Sequence, residues 1–313
     1  VVVVVGLLAN ESHGGIRTWS APKWTARDLI AAKGKRTVSV VLPALNEEAT
    51  VGDVVHAVRC LPEGLVDELI VMDSGSSDAT MRVAAAAGAT VVSREDVLPE
   101  HPPVPGKGEV LWRSLAVASG DIVMFMDSDL LEPDPQFVPK LIGPLLLDES
   151  IVFSKAYYRR PLLTGDSFDE SGGGRVTELV ARPLLAALRP GLRHVIQPLG
   201  GEYAATREAL ERFYFASHYG VEIGLLIDVF DHYGTGAIGQ VDLGVRKHRN
   251  RPLHELGVMS RQIVATALER CGLSDSGEGI IQFPLGADGF AAKEAVLRTE
   301  HRPPMASLLK IAS

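Results

Sequence analysis

Gly120-Asp121-Ile122-Val123-Met124-Phe125-Met126-Asp127-Ser128-Asp129 contains an unbroken apolar run that stops at two carboxylates one residue apart. Ile122 to Met126 has the length and composition of a strand buried on both faces, as inside a parallel sheet. A sheet core has no use for paired Asp, but the carboxyl end of a buried strand is where open α/β folds bind ligands. Two Asp at that point make a hard oxygen site suited to Mg²⁺ or Mn²⁺, a metal that commonly shares its shell with substrate phosphates. Asp-x-Asp alone is a frequent pattern, so the flanking segments must carry the decision.

Upstream, Thr37 to Leu42 reads as a β-branched strand ending at Pro43, followed by a helix from Thr50 to Val58 with Val51, Val54, Val55 and Val58 on one face. Glu68 to Met72 is a second strand, followed by an Ala-rich helix from Thr80 to Ala87. Thr90 to Val92 gives a third, and a Pro/Gly-rich loop from Leu98 to Gly108 leads to a helix from Glu109 to Ala118. This alternation predicts βαβ units, a parallel sheet and right-handed crossovers, with four polar strand ends on one edge. Beyond Pro133 the pattern predicts a strand from Ile151 to Ala156, a basic aromatic loop at Tyr157-Tyr158-Arg159-Arg160-Pro161 and a helix ending at Leu188. A helix at Val221 to Asp228, a strand at Gln240 to Val245, a basic loop from Arg246 to Arg251 and a helix from Leu256 to Arg270 complete it. Residues 1–35 read as an arm anchored by Trp19 and Trp24, with Thr25 capping a short helix to Lys33.

The bulk properties are those of an ordinary α/β domain: 313 residues, 46% hydrophobic and 22% charged. A net charge of −8 argues against nucleic acid as a partner. Cys60 and Cys271 lack metal-ligand spacing and predict free thiols in a reducing compartment. The apolar stretch Val1 to Ala9 is too short to span a bilayer, so the expectation is a cytoplasmic protein without a membrane partner.

Pro43-Ala44-Leu45-Asn46-Glu47-Glu48, Asp73-Ser74-Gly75-Ser76-Ser77-Asp78 and Asp127-Ser128-Asp129 close successive strands in an order that resembles the GT-A-fold glycosyltransferases using nucleoside-diphosphate sugars. Five further segments narrow the resemblance: Pro105-Gly106-Lys107-Gly108-Glu109, Gly173-Gly174-Arg175-Val176-Thr177-Glu178, Tyr219-Gly220-Val221-Glu222-Ile223-Gly224, His248-Arg249-Asn250-Arg251-Pro252-Leu253 and Arg302-Pro303-Pro304-Met305. Together they are similar to the retaining glucosyl-3-phosphoglycerate synthases and the related mannosyl-3-phosphoglycerate synthases, over most of the chain. The resemblance implies a Rossmann-like, mostly parallel sheet with a C-terminal elaboration. Residues 36–132 would hold the nucleotide sugar, 133–283 the acceptor, and 284–313 form a tail.

The resemblance further implies transfer of a glucosyl or mannosyl group from UDP-glucose, GDP-glucose or GDP-mannose to 3-phosphoglycerate, by a homodimer using Mg²⁺ or Mn²⁺. Pro43, Ala44, Leu45, Asn46, Glu47, Asp73, Ser74 and Gly75 would cradle the nucleotide, with Lys107, Asp127, Ser128, Asp129 and Arg246 at the diphosphate. Leu199, Gly200 and Glu202 would lie near the sugar. Asp127, Asp129 and His248 would hold the metal, and Asp129, Lys107, Glu222 and Arg246 would carry the chemistry. Gly173, Gly174, Arg175, Val176, Thr177 and Asn250 would bind the acceptor; glycines before a helix start, with an Arg, form an anion site on physical grounds as well. A solvated turn lysine at Lys107 and a surface histidine at His248 fit the bare sequence too. If buried, Glu222 in its otherwise apolar helix must be paired or functional, and Asp228 reads as the structural partner of a basic group.

Pro198-Leu199-Gly200-Gly201-Glu202 departs from the glucosyl enzymes, which carry Ser at Gly200. A lost hydroxyl beside the sugar would loosen glucose–mannose discrimination. Two other classes share parts of the pattern. A sugar-nucleotidyltransferase needs a Gly-rich basic loop after the first strand, which Pro43 to Glu48 does not supply. A non-catalytic sugar-nucleotide-binding module has no need of both a metal pair and an acceptor anion site.

Overall fold

A nine-stranded sheet carries the site, and its mixed direction decides what reaches it. The computed structural model describes residues 11–160, 162–164, 167–169, 174–246, 253–286 and 289–309. In chain order, the first half runs β1 (Glu11–His13), β2 (Ile16–Trp19), α1 (Ala26–Lys33), β3 (Val38–Ala44), α2 (Val51–Arg59), β4 (Glu68–Asp73), α3 (Thr80–Ala86), β5 (Thr90–Ser93), α4 (Lys107–Ser114) and β6 (Ile122–Phe125). Then come α5 (Phe137–Leu147), β7 (Phe153–Arg159), a small hairpin of β8 (Leu162–Thr164) and β9 (Ser167–Asp169), and α6 (Arg182–Leu188), entered through a π-helical turn at Thr177–Ala181. The remainder comprises β10 (Tyr203–Thr206), α7 (Arg207–Arg212), β11 (Phe215–Ala216), α8 (Val221–Tyr233), β12 (Ile238–Val245) and α9 (Leu253–Arg270). The last segment holds β13 (Ile280–Gln282), β14 (Leu285–Gly286), β15 (Gly289–Phe290), β16 (Lys293–Ala295), β17 (His301–Arg302) and α10 (Met305–Leu309).

The sheet order is β1-β2-β12-β7-β10-β6-β3-β4-β5. The predicted core, β6-β3-β4-β5, is wholly parallel. Strand β10 runs antiparallel to both its neighbours, β6 and β7. The carboxyl ends of β3, β4, β6, β7 and β12 therefore share one edge with the amino end of β10. Along β6, side chains alternate between two cores: Val123 and Phe125 join the layer under α4 and α8, while Ile122 and Met124 join the layer under α2 and α5.

Three expectations change. From Glu11 onward the arm is part of the fold: β1 pairs with β2, and β2 extends the sheet beside β12. Pro43 does not end its strand, because its neighbour on one side is Met72 of β4 and the ladder runs on to Ala44 and Asp73. Tyr157, Tyr158 and Arg159 are strand rather than loop, with Tyr157 opposite Asp242 and Arg159 opposite Val245 of β12. Other expectations hold: Thr25 caps α1 in a reciprocal box with Asp28, Asp228 pairs with Arg270 at 2.9 Å, and both cysteines are free thiols. Among the described residues, no helix is long and apolar enough to cross a membrane.

Candidate active site

The shared edge opens into a cleft of about 390 Å³. Pro43 and Ala44 at the end of β3, Leu45 and Glu47 beyond it, Ser74 after β4, and Asp127, Ser128 and Asp129 after β6 line one side. Gly174, Arg175, Val176 and Thr177 at the start of the π turn, with Leu256, Met259 and Ile263 of α9, line another. Ser128 Oγ donates to the Pro43 carbonyl at 2.7 Å, which welds the Asp-Ser-Asp turn to the first loop. These are the donor-side and acceptor-side segments predicted from the sequence, brought to one cavity.

A compact ionic network lines the cleft and reaches into the fold behind it. Lys107, the first residue of α4, donates to Asp127 Oδ1 at 2.6 Å and stands 3.0 Å from Glu222 Oε1 in the first turn of α8. Arg246, after β12, reaches Asp127 Oδ2 at 2.6 Å, Asp129 Oδ1 at 3.1 Å and Glu202 Oε1 at 2.9 Å. Tyr158 donates to the other oxygen of Glu202 at 2.6 Å. Glu202 is fully buried, Arg246 nearly so, and Glu222 is buried against Lys107. The antiparallel β10 is what delivers Glu202: the residue before its first position lies at the cleft, not at the far edge.

The two Asp differ electrostatically. Burial works against the Asp127 carboxylate, but Lys107 and Arg246 outweigh it and hold its pKa well below the usual range. Burial and the adjacent Asp127 charge raise Asp129 instead, against the pull of Arg246. Burial alone would lower the Lys107 ammonium, yet Asp127 and Glu222 hold it well above the ordinary lysine value. Both oxygens of Asp127 are therefore taken by cations. Asp129 Oδ2 has no hydrogen bond among the described residues, and its side chain is 37% exposed. An open, underneutralised carboxylate oxygen beside a second carboxylate fits a hard divalent cation. No third His, Cys, Asp or Glu joins the pair among the described residues; the predicted ligand His248 lies outside them, as do Gly173 and Asn250.

Several predicted nucleotide- and sugar-binding residues do not line the cleft themselves. Asn46 braces the second loop, accepting from the Ser77 N–H at 2.9 Å. Asp73 is buried and turns its Oδ2 onto the N–H groups of Gly75 and Ser76, so it shapes the loop that presents Ser74. Gly200 corrects a prediction. A Cβ there would meet Tyr158 Oη at 3.4 Å and the Ala156 and Gln197 carbonyls at 3.5 Å, so a side chain would point into the scaffold. The absence of a hydroxyl at this position does not open space for another sugar. The neighbouring Gly201 is the lining residue.

The sequence assigns no individual role to Lys155, nor to Arg160, Gly201 and Tyr219, which line the cleft although they lie in segments it singles out. Lys155 is fully buried in β7, donates to the Gly200 carbonyl at 2.7 Å and lies 5.0 Å from the Tyr203 ring. Burial pulls its pKa down to about 8. A lysine within the apolar run Ile151 to Ala156 was the available signal. Arg160 lines the cleft with its guanidinium on the Tyr158 ring and Nη2 donating to Tyr158 Oη at 3.0 Å.

A metal-compatible Asp pair at the carboxyl edge of a Rossmann-like sheet, facing the Gly174–Thr177 turn across one cleft, defines a glycosyltransferase with the GT-A fold. Residues 39–174 match the model of glycosyl transferase family 2. The glucosyl-3-phosphoglycerate synthase of Mycolicibacterium smegmatis is 62% identical over 291 residues, 93% of this chain and 96% of that one. That of Petrotoga mobilis is 45% identical over 249 residues, 78% of this chain and 77% of the other. The crystal structure of the Mycobacterium tuberculosis glucosyl-3-phosphoglycerate synthase with Mn²⁺, UDP and phosphoglyceric acid superposes with a TM-score of 0.86 at 59% identity, covering 93% of this chain and 98% of that one. The chain belongs to the glucosyl-3-phosphoglycerate synthase family. Other structures of the tuberculosis enzyme hold UDP-glucose with Mn²⁺, or UDP with Mg²⁺. These relatives are glucosyl enzymes, and their complexes give the expectation of GDP or mannose no support.

Proposed function

We propose that this chain transfers glucose from UDP-glucose to 3-phosphoglycerate with retention of configuration, using Mn²⁺ or Mg²⁺ held by Asp129 and His248. One observation carries the reading: an open Asp129 oxygen and the Gly174–Thr177 turn face a single cleft. The family likeness supports the identity of both substrates. When bound, the metal neutralises charge that gathers on the departing diphosphate.

The protein's own groups do the rest. Lys107 Nζ supplies a second positive charge to the diphosphate from a position fixed by Asp127 and Glu222. Asp127 acts chiefly as the anchor that orients Lys107 and Arg246. Gly174, Arg175, Val176 and Thr177 hold an anionic group of the acceptor, assisted by Gly173 and Asn250, so that its hydroxyl meets the anomeric carbon in a near-attack pose. Leu199 and Gly201 face the sugar.

The carboxylates support attack from the leaving-group face. Glu202 is buried under Tyr158 and Arg246, Glu222 is paired with Lys107, and Asp127 is pinned at both oxygens. None is free to act as a nucleophile. The acceptor hydroxyl forms the new bond to the anomeric carbon as the carbon–diphosphate bond breaks, and its proton passes to a diphosphate oxygen. Trapping a covalent glucosyl-enzyme would overturn this mechanism. The substrate reading is tested with UDP-glucose, GDP-glucose and GDP-mannose, each given with 3-phosphoglycerate and Mn²⁺. Turnover of UDP-glucose alone is expected; turnover without 3-phosphoglycerate, or preference for a GDP donor, refutes it.

We also propose a homodimer. Ile281, Phe283, Leu285, Phe290 and Val296 are each more than half exposed on the hairpins after α9, an apolar surface of the kind a second copy covers. Light scattering of Phe283→Asp against the parent chain checks it, with a monomer expected from the variant.

A further inference from the structure

The C-terminal segment 300–305 lies far from the cleft in sequence, yet it closes the back of the seat that presents Lys107. Its strand β17 pairs antiparallel with β11. The β11 backbone and the residue after it are the surface on which the Lys107 turn rests. A Cβ at Gly108 would stand 1.8 Å from the Ala216 carbonyl oxygen, and one at Gly106 2.3 Å from that of Ser217. Both glycines beside Lys107 are thus demanded by close backbone approach. The Glu109 N–H donates to the Ser217 carbonyl at 3.0 Å, while Ser217 donates from N and Oγ to the Glu300 carbonyl at 3.0 and 2.7 Å.

A second set of contacts ties the tail to α4 itself. Arg302 forks onto both oxygens of Glu109, with Nη2–Oε1 at 2.9 Å. Its Nη2 also donates to the Pro102 carbonyl at 2.6 Å. Its guanidinium lies 5.3 Å from the Trp112 ring, and Trp112 Nε1 donates to the Pro303 carbonyl at 2.8 Å. Glu109 is wholly buried and also holds Arg113 at 2.6 Å, so it keeps a cation when Arg302 is removed. The arrangement is therefore more than the anchor that keeps Glu109 neutralised. We propose that Arg302 is a positioning residue for the transfer reaction: through Glu109 and the β11–β17 pair, it fixes the register of α4 and hence the reach of Lys107 to the donor diphosphate.

This inference rests on the donor reading above, and a double-mutant cycle separates the two. UDP affinity in Mn²⁺ is measured by calorimetry for the parent chain, Arg302→Ala, Lys107→Ala and the double variant, with thermal unfolding recorded for each. Arg302→Ala is expected to weaken UDP about 5- to 10-fold in the parent, and less than about 2-fold in the Lys107→Ala background, since coupled residues are non-additive. An equal loss in both backgrounds, or no loss in the parent, overturns the proposal. Arg302→Lys, which keeps the charge but not the fork, gives the same cycle if the alanine variant does not fold. A parent chain that takes up no UDP refutes the donor reading itself, a result the cycle does not mimic.

Discussion

Replacing Gly201 with alanine sets one methyl against the central ion pair, and its neighbour Gly200 supplies the control. A Cβ on Gly201 would lie 2.5 Å from Lys107 Nζ and 2.5 and 2.6 Å from the two Asp127 oxygens. Neither glycine has a left-handed φ, so alanine meets no backbone penalty at either position and only space distinguishes them. Ordinary contact begins near 3.4 Å, so the ammonium and carboxylate must each retreat by about 0.9 Å. They have little slack: Lys107 is also held by Glu222, and Asp127 by Arg246. Weakening a charge-assisted hydrogen bond of this kind costs about 1.5–3 kcal/mol. A displacement near 1 Å at a positioned group costs about 100-fold in rate. Gly201→Ala is therefore expected to lower kcat/KM for UDP-glucose by about 30- to 150-fold, the equivalent of about 2–3 kcal/mol. Gly200→Ala, with contacts no shorter than 3.4 Å, is expected to stay within about threefold. Steady-state kinetics on the two variants decide the matter. Activity within threefold of the parent in Gly201→Ala, or equal losses in both, refutes the steric argument.

Asp129→Asn is expected to abolish metal-stimulated transfer, a loss of about a thousandfold given the several kcal/mol such a charge supplies, and a Mn²⁺ titration of the variant should show no saturable activation. Chelation of the parent enzyme should stop turnover reversibly without unfolding it, which circular dichroism before and after re-addition of Mn²⁺ reports. The lowered pKa of Lys155, about 8 against an ordinary 10.5, carries a definite sign. Between those values the unfolded chain holds a proton that the folded chain lacks, so this group makes stability rise with pH across that window. The full contribution is at most about 3 kcal/mol. The difference in urea stability between Lys155→Met and the parent should shrink by that order between pH 7.5 and pH 10.5, and a constant difference contradicts it. Tyr158→Phe removes one of the bonds that fix Glu202 under Arg246, and should destabilise the fold by about 1–2 kcal/mol in denaturant titration.

Local pattern determined a good deal of this protein. The apolar run Ile122 to Met126, the strand–helix alternation from Thr37 to Ala118 and the polar strand ends are each written in consecutive residues, because a parallel sheet buried on both faces must be built from such segments. They marked the site edge and the Asp127–Asp129 turn, and the glycines before a helix start marked the Gly174–Thr177 turn that lines the same cleft. What the sequence left hidden depends on residues far apart along the chain. Nothing near Glu202 indicates that β10 runs against β6 and β7, yet that reversal alone puts Glu202 at the cleft, within reach of Arg246. Nothing near Asp127 shows that both its oxygens meet cations from α4 and from the end of β12, leaving Asp129 as the open carboxylate. The contrast between Gly200 and Gly201 is of the same kind. Two adjacent residues of one type differ only in which side chains lie across from them, and packing settles that after the sheet has closed.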